Sequence, residues 1–284
     1  MKINIRKEIA ELSDEIYYYR RHFHKYPELS FKEFKTAETI SKYLKEFGIK
    51  HKTNVGKTGV VGEIYFGPGP TIALRADMDA LPIQEKGSLD YKSRNDGVMH
   101  ACGHDGHMAI LLGAAKSLSK NNRIKKGTVK FIFQPAEEGG GGARYMIEDG
   151  CLNGVDEIYG LHLWNYQKYG EVGLKTGPVM ASADIFEIEI LGKGGHGAAP
   201  QGTVDAIVVA SHLITILQTV VSRNTNPLEN TVLTIGKIKG GENFNVISDN
   251  VTMYGTTRAY SEQNRQMIKK RMEEIIEGVS NSFN

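Results

Sequence analysis

The chain has 284 residues, enough for one large domain or two smaller ones, and its 40% hydrophobic and 24% charged residues exclude wholesale disorder. Its 35 basic and 33 acidic residues are interspersed and leave a net charge of +2, so nothing resembles the clustered basic footprint of a nucleic-acid binder. Two cysteines, Cys102 and Cys151, are too few for a disulfide framework; with a charged N-terminal stretch lacking the apolar run of a signal peptide, they point to a reducing, cytoplasmic address where Cys102 stays a free thiol.

In chain order, helical spacing predicts helices over 5–24 and 31–47, with Ile9, Leu12, Ile16 and Tyr19 on one face, Pro27 as the break and Gly48 as the close. Four runs bounded by Gly, Pro or Asn predict strands: VVGEIYF, TIALRAD, TVKFIFQP and DEIYGLHL. Between them, Met108, Leu111, Leu112, Ala115 and Leu118 mark a helix over 105–119, and ARYMIEDG reads as another, closed by Gly150. This alternation predicts an α/β sheet covered by helices on both faces.

The pattern changes near residue 180. A strand (ADIFEIEILGKG), a helix over 203–223, two strands (TVLTIGKIKGG and NVTMYGTTRAY) and a charged helix over 261–280 follow. That β-α-β-β-α order is a split βαβ unit without its closing strand. Two domains are therefore expected, 1–180 and 181–284, the second incomplete at its C-terminus. The apolar run AIVVASHLITILQTVV carries Ser211, His212 and Gln218 and reads as too short for a membrane span.

Four polar clusters fall at or just after predicted strand ends: Asp77 and Asp79, Cys102 to His107, Glu137 and Glu138, and His162. In open α/β sheets that edge is where ligands bind. Thiolate, imidazole and carboxylate together suit zinc, with cobalt or manganese as alternatives. Cys102 and His104 reach one ion only from an irregular turn, which Gly103 permits. Taken alone, His104 and His107 read first as the polar start of a helix, the glutamates as a solvated pair, and His162 as a core histidine. As adjacent loop residues, Glu137 and Glu138 can diverge, one binding metal and the other taking a proton from activated water. GGGGA, residues 139–143, is no Walker loop; it is expected to let backbone pass close to the metal and to open the next helix. Further on, His196 sits in a glycine-rich loop, and Asn245 and Arg258 are candidates to hold a carboxylate.

The segments RRHFHKYPELSFKEFKTA, LRADMDALPI, MHACGHDGHMA, FQPAEEGGGGA, GLH and GKGGHGAAP occur in this order. Together they resemble the metal-dependent amidohydrolases and carboxypeptidases of the aminoacylase type, a family that includes hippurate hydrolases, N-acetyldiaminopimelate deacetylases, indole-acetyl-amino-acid hydrolases and a thermostable carboxypeptidase. The resemblance implies a zinc-peptidase-like mixed sheet covered by helices, with a smaller ferredoxin-like α+β lid or dimerisation domain. It implies one or two divalent ions, zinc before manganese or cobalt, with ligands at Cys102, His104, Glu138 and His162. Glu137 matches the general base. Asp77 matches an aspartate that orients a ligand, although Arg75 stands where that motif has a histidine. His196 matches the lid histidine that polarises the scissile carbonyl, and Asn245 and Arg258 fall in its substrate-facing region. The implied substrate is an N-acyl amino acid or short peptide with a free carboxylate, and the implied assembly is a homodimer through the lid, with neither nucleic acid nor membrane as partner. Family members supply a last histidine ligand from a segment after the lid. On that comparison the chain is expected to end before it, and the rival expectation is an incompetent metal-binding or dimerising fragment.

Overall fold

The N-terminal apolar spacing yields α1 (Lys7–Ala10), α2 (Ser13–Lys25) and α3 (Phe34–Glu46) in the computed structural model, which describes residues 6–121 and 123–283. The predicted helix start at residue 5 lies outside the described residues. A turn at Glu11 and Leu12 splits the single helix expected over 5–24. The buried face of α2 carries Tyr19 and Phe23, and that of α3 carries Ile40 and Leu44.

A five-stranded mixed sheet follows, built from β1 (Lys50–Val55), β2 (Gly59–Gly67), β3 (Thr71–Asp77), β4 (Gly127–Gln134) and β5 (Glu157–Gly160), in the order β1-β2-β4-β3-β5. β1, β2 and β4 pair antiparallel, whereas β3 runs parallel to both β4 and β5. The sequence KHKTNV of β1 gave no strand signal because it is an edge strand with no buried residue. β5 is shorter than DEIYGLHL suggested, so His162 lies beyond the strand end.

Residues alternate between two faces of this sheet. Val60, Ala76, Phe131 and Phe133 join Phe23, Ile40, Leu44 and α4 (His104–Ser119) in the main core. Ala73 and Ile132 face the other way, onto Met146 of α5 (Gly142–Glu148) and Cys151. Each large side chain removed from water on the main face contributes roughly 1.5–3 kcal/mol. Both faces are covered, and the carboxyl ends of the parallel strands β3, β4 and β5 share one edge.

A second unit begins after Glu171. The division falls at 171–172 rather than at 180–181. Residues 172–183 form no helix or strand, yet Lys175 lies 5.4 Å over the Tyr260 ring and the Ser182 N–H donates to the Ala259 carbonyl at 2.7 Å. The unit comprises β6 (Asp184–Leu191), β7 (Gly195–His196), α6 (Ala206–Thr219), β8 (Thr231–Gly240), β9 (Val246–Ile247), β10 (Asn250–Ala259) and α7 (Glu262–Phe283). β6, β10 and β8 form an antiparallel sheet in that order, and β7 pairs with β9. The principal elements follow the β-α-β-β-α order read from the sequence.

The Asp205 carboxylate accepts the Ile207 and Val208 N–H groups and caps α6. With the π-helical turn Val220–Asn224, this helix spans 19 residues at a hydropathy of 1.5, which by length and composition suffices to cross a membrane. The expectation that the run is too short is corrected on that point. Here it is a core helix: Val209, Ala210, Leu213 and Leu217 pack with Ile188, Leu233, Met253 and Ile275.

Candidate metal centre

The ligand-rich segment sits at the carboxyl edge of the first sheet because Gly103, at φ 88°, turns the chain into α4. Cys102 precedes the turn, and His104, Asp105 and His107 are buried in the first turn of the helix. Three groups of donor atoms lie within 4.8 Å of one another: Cys102, His104 and His162; His104, Glu137 and Glu138; and Asp77, His104 and His107. His104 is common to all three.

Hydrogen bonds decide which of these atoms are free. His104 Nδ1 donates to the Asp79 carbonyl oxygen at 2.8 Å, so its Nε2 carries the lone pair. That Nε2 is buried without a hydrogen-bond partner among the described residues, as is Glu138 Oε1, 3.8 Å away. Buried polar atoms are rarely left unpaired, and two facing each other fit a cation between them. His162 Nδ1 donates to the Leu163 carbonyl at 2.7 Å, leaving Nε2 at 3.4 Å from Cys102 Sγ. His104 Nε2 and Glu138 Oε1 are thus unpaired, and Cys102 Sγ and His162 Nε2 are engaged with each other, so donor atoms of all four residues read as ligands face one region.

The third group is different. His107 Nε2 accepts the Leu163 N–H at 2.9 Å, and its Nδ1 donates to Asp77 Oδ1 at 2.6 Å. Arg75 Nη1 donates to Asp77 Oδ2 at 2.7 Å, while Arg75 Nε donates to Gln134 at 2.9 Å. Both His107 nitrogens and both Asp77 oxygens are engaged, so this pair braces the site. Asp77 fixes the ring of His107, whereas the ring of His104 is fixed by Asp79. The arginine that replaces the expected histidine fills the space beside Asp77 with a fixed positive charge.

The electrostatics follow. Burial and the carboxylates of Glu138, Glu137 and Asp77 push the Cys102 thiol up to about 12, a balance that a cation reverses. Burial and the adjacent Glu138 raise the pKa of Glu137. Burial opposes the charge on Asp77, but His107, His104 and Arg75 outweigh it and hold the carboxyl well below its usual range.

Sequence reasoning placed Asp79 in a polar cluster without a role and missed other supporting residues. Asp79 and Glu33, both buried, accept backbone N–H groups from the turn that carries Glu137 and Glu138. His24, from α2, bridges Asp105 at 2.8 Å and Glu85 at 3.3 Å. The glycines after Glu138 make their close approach to the preceding turn: a Cβ on Gly142 would lie 1.8 Å from the Pro135 carbonyl oxygen.

The other three candidates belong to the second unit. His196, exposed on β7, pairs with Val246, which places Asn245 at the end of the same short ladder. His196 Nδ1 accepts the Ala198 N–H at 3.0 Å. Arg258, on β10, donates to the Thr257 carbonyl at 2.9 Å.

Residues 73–280 match the profile of peptidase family M20/M25/M40. The chain belongs to this family. Among M20 relatives, an N-acetyl-L-cysteine deacetylase of Bacillus subtilis (strain 168) is 50% identical over 276 residues, covering 97% of this chain and 66% of that protein. An N-acyl-L-amino acid amidohydrolase of Geobacillus stearothermophilus is 43% identical over 281 residues, covering 98% of this chain and 76% of that protein. The chain therefore spans about two thirds to three quarters of these relatives' length. A crystal structure of a dinuclear metal-binding M20 peptidase from Bacillus subtilis superposes with a TM-score of 0.81 at 40% identity, covering 96% of this chain and 72% of that one. In this chain the donor groups around His104 form a candidate metal centre.

Proposed function

We propose that this M20 chain hydrolyses the amide bond of N-acyl amino acids, or of short peptides with a free carboxylate. The observation that carries the reading is the convergence of donor atoms from Cys102, His104, Glu138 and His162, those of His104 and Glu138 buried and unpaired, with Glu137 beside them. The named activities of the two curated relatives support the substrate class. One or two ions are held by those four residues, and the mixed donor set favours zinc over manganese or cobalt. A divalent cation supplies Lewis acidity, polarising the amide carbonyl and bringing the pKa of water towards neutrality.

The chain's own residues do the rest. Glu137 takes the proton of the attacking water and passes it to the leaving amine; its raised pKa suits a group that must also give the proton back. The Ala198 N–H on His196 Nδ1 puts the ring proton on Nε2, from which it donates to the developing oxyanion. Arg258 and Asn245 hold the substrate carboxylate. A reducing, cytoplasmic setting goes with this chemistry, because a Cys102 ligand must stay unoxidised. Pairing through the second unit completes the reading, and light scattering of the purified protein checks it.

The test is release of free amino acid from N-acetyl and longer N-acyl amino acids by zinc- or manganese-loaded protein. Turnover is expected, with Glu137→Ala at least about a hundredfold slower at equal metal content. Bound metal without hydrolysis, or undiminished turnover in the variant, would overturn the reading.

A further inference from the structure

We propose that Asp79 is a positioning residue that ties the two halves of the metal centre together, setting the ring of His104 and the Glu137–Glu138 turn from one buried site. The two halves come from opposite sides of the chemistry. His104 opens α4, whereas the glutamates follow β4. Asp79, just after β3 and 1% exposed, reaches both. Its carbonyl oxygen accepts His104 Nδ1–H at 2.8 Å. Its carboxylate accepts the Glu137 N–H at Oδ1 and the Glu138 N–H at Oδ2, each at 3.0 Å. Ser30 Oγ–H donates to the same Oδ2 at 2.7 Å and fixes the carboxylate's orientation.

The turn held this way would not hold itself. Ala136 sits at φ 51°, a left-handed conformation that a residue with a Cβ adopts only under constraint. Glu33 Oε1 accepts the Ala136 N–H at 2.9 Å, and Thr58 Oγ1–H holds Glu33 in turn at 2.6 Å. Three successive N–H groups, of residues 136, 137 and 138, are thus taken by two buried carboxylates. Burying carboxylates is costly, and neutral acceptors would satisfy the same N–H groups. What the pair adds is a fixed backbone that brings both adjacent glutamates to His104 Nε2, Glu138 Oε1 at 3.8 Å as the proposed ligand and Glu137 Oε2 at 4.0 Å as the group that moves a proton. A carboxylate is needed at Asp79 because an amide offers one oxygen and an NH2 group, which would face one of the two N–H groups donor to donor.

The catalytic consequence rests on the function proposed above, but the metal-binding consequence does not. The experiment is cobalt(II) titration of the full chain and of Asp79→Asn, followed by visible absorption. The sulfur-to-cobalt band reports Cys102, and the d–d bands report coordination geometry. Asp79→Asn is expected to unfold at a temperature close to wild type and to keep the sulfur band. Its d–d bands should change, and its cobalt affinity should fall by about tenfold to a hundredfold, the range for residues that orient ligands. With cobalt saturating, kcat for amide hydrolysis should fall and KM should change little. Wild-type bands and affinity in the variant would overturn the proposal, as would losses that only track unfolded protein or a wild type that binds no cobalt. If Asp79→Asn does not fold, Ser30→Ala decides: altered d–d bands restored by Ser30→Thr support the proposal, and unaltered bands overturn it. A wild type that binds cobalt but hydrolyses nothing would sink the functional reading alone, and the spectra would still decide the role of Asp79.

Discussion

His104 shows how much a single residue's surroundings determine. Its type and its place two residues after Cys102 were legible in the sequence, and so was the free glycine turn between them. What made it a ligand candidate rather than a polar helix start was the bond from its Nδ1 to Asp79. That bond fixes the tautomer, and it joins residues 25 positions apart that no local motif connects. Glu33 was invisible for the same reason, because it serves a backbone group 103 positions away. At this scale His24 carries a pH prediction. The hydrogen bond with Asp105, helped by Glu85, raises the pKa of His24 above 6.5 despite its burial, whereas Glu85 is held below 4.5 by the Ser93 N–H and His24 against its own burial. Arg20 shares Asp105, the Tyr91 ring lies edge-on to His24, and neutral His100 is nearby. The stabilisation from His24 is complete below pH 6.5 and is lost as pH rises through its elevated folded pKa; that from Glu85 is complete above pH 4.5 and is lost as pH falls through its depressed one. Urea denaturation of the wild type across pH should therefore show the cluster's contribution greatest between these values. In His24→Asn the fall on the alkaline side should flatten; an unchanged slope would contradict the assignment.

Among the elements, those with a strong apolar period were readable and those defined by tertiary context were not. α4 appeared with nearly its full extent because Met108, Leu111, Leu112 and Ala115 line one buried face. β1 did not, since five of its six residues are charged or polar and its strand character comes only from pairing with β2. The glycine run after Glu138 was read as clearance for a metal, yet the contact it relieves is backbone against backbone at Pro135. Gly142→Ala should therefore destabilise the fold by about 1–3 kcal/mol, as overpacking does, and should weaken metal binding through the same turn. Thermal unfolding and zinc titration together check this. A stable variant with unchanged affinity would show that the turn tolerates displacement.

On the scale of the whole molecule, two separate cores carry two kinds of work. The first holds the metal-centre elements around Met108, Leu112 and Phe131, and the second packs α6 and α7 on their own sheet. The order of the principal elements in both was legible, because periods of 2 and 3.6 residues separate along most of this chain. The compact units divide several residues before the change of pattern near residue 180, since a segment without helix or strand has no period to read. Leu112→Ala and Leu213→Ala should each cost about 2–5 kcal/mol, both residues being fully or almost fully buried. Only Leu112→Ala should also lower zinc affinity, as seen by calorimetric titration below the unfolding temperature. Equal losses of affinity in both variants would contradict the separation of the cores.

The most direct test of the metal centre is zinc binding by the wild-type chain and by His104→Ala, measured by calorimetric titration on metal-stripped protein. Among the described residues, His104 is the one shared by every candidate donor group. Tight binding by the wild type, abolished in the folded variant, is the predicted result. Unchanged zinc affinity in His104→Ala would contradict the assignment of the centre.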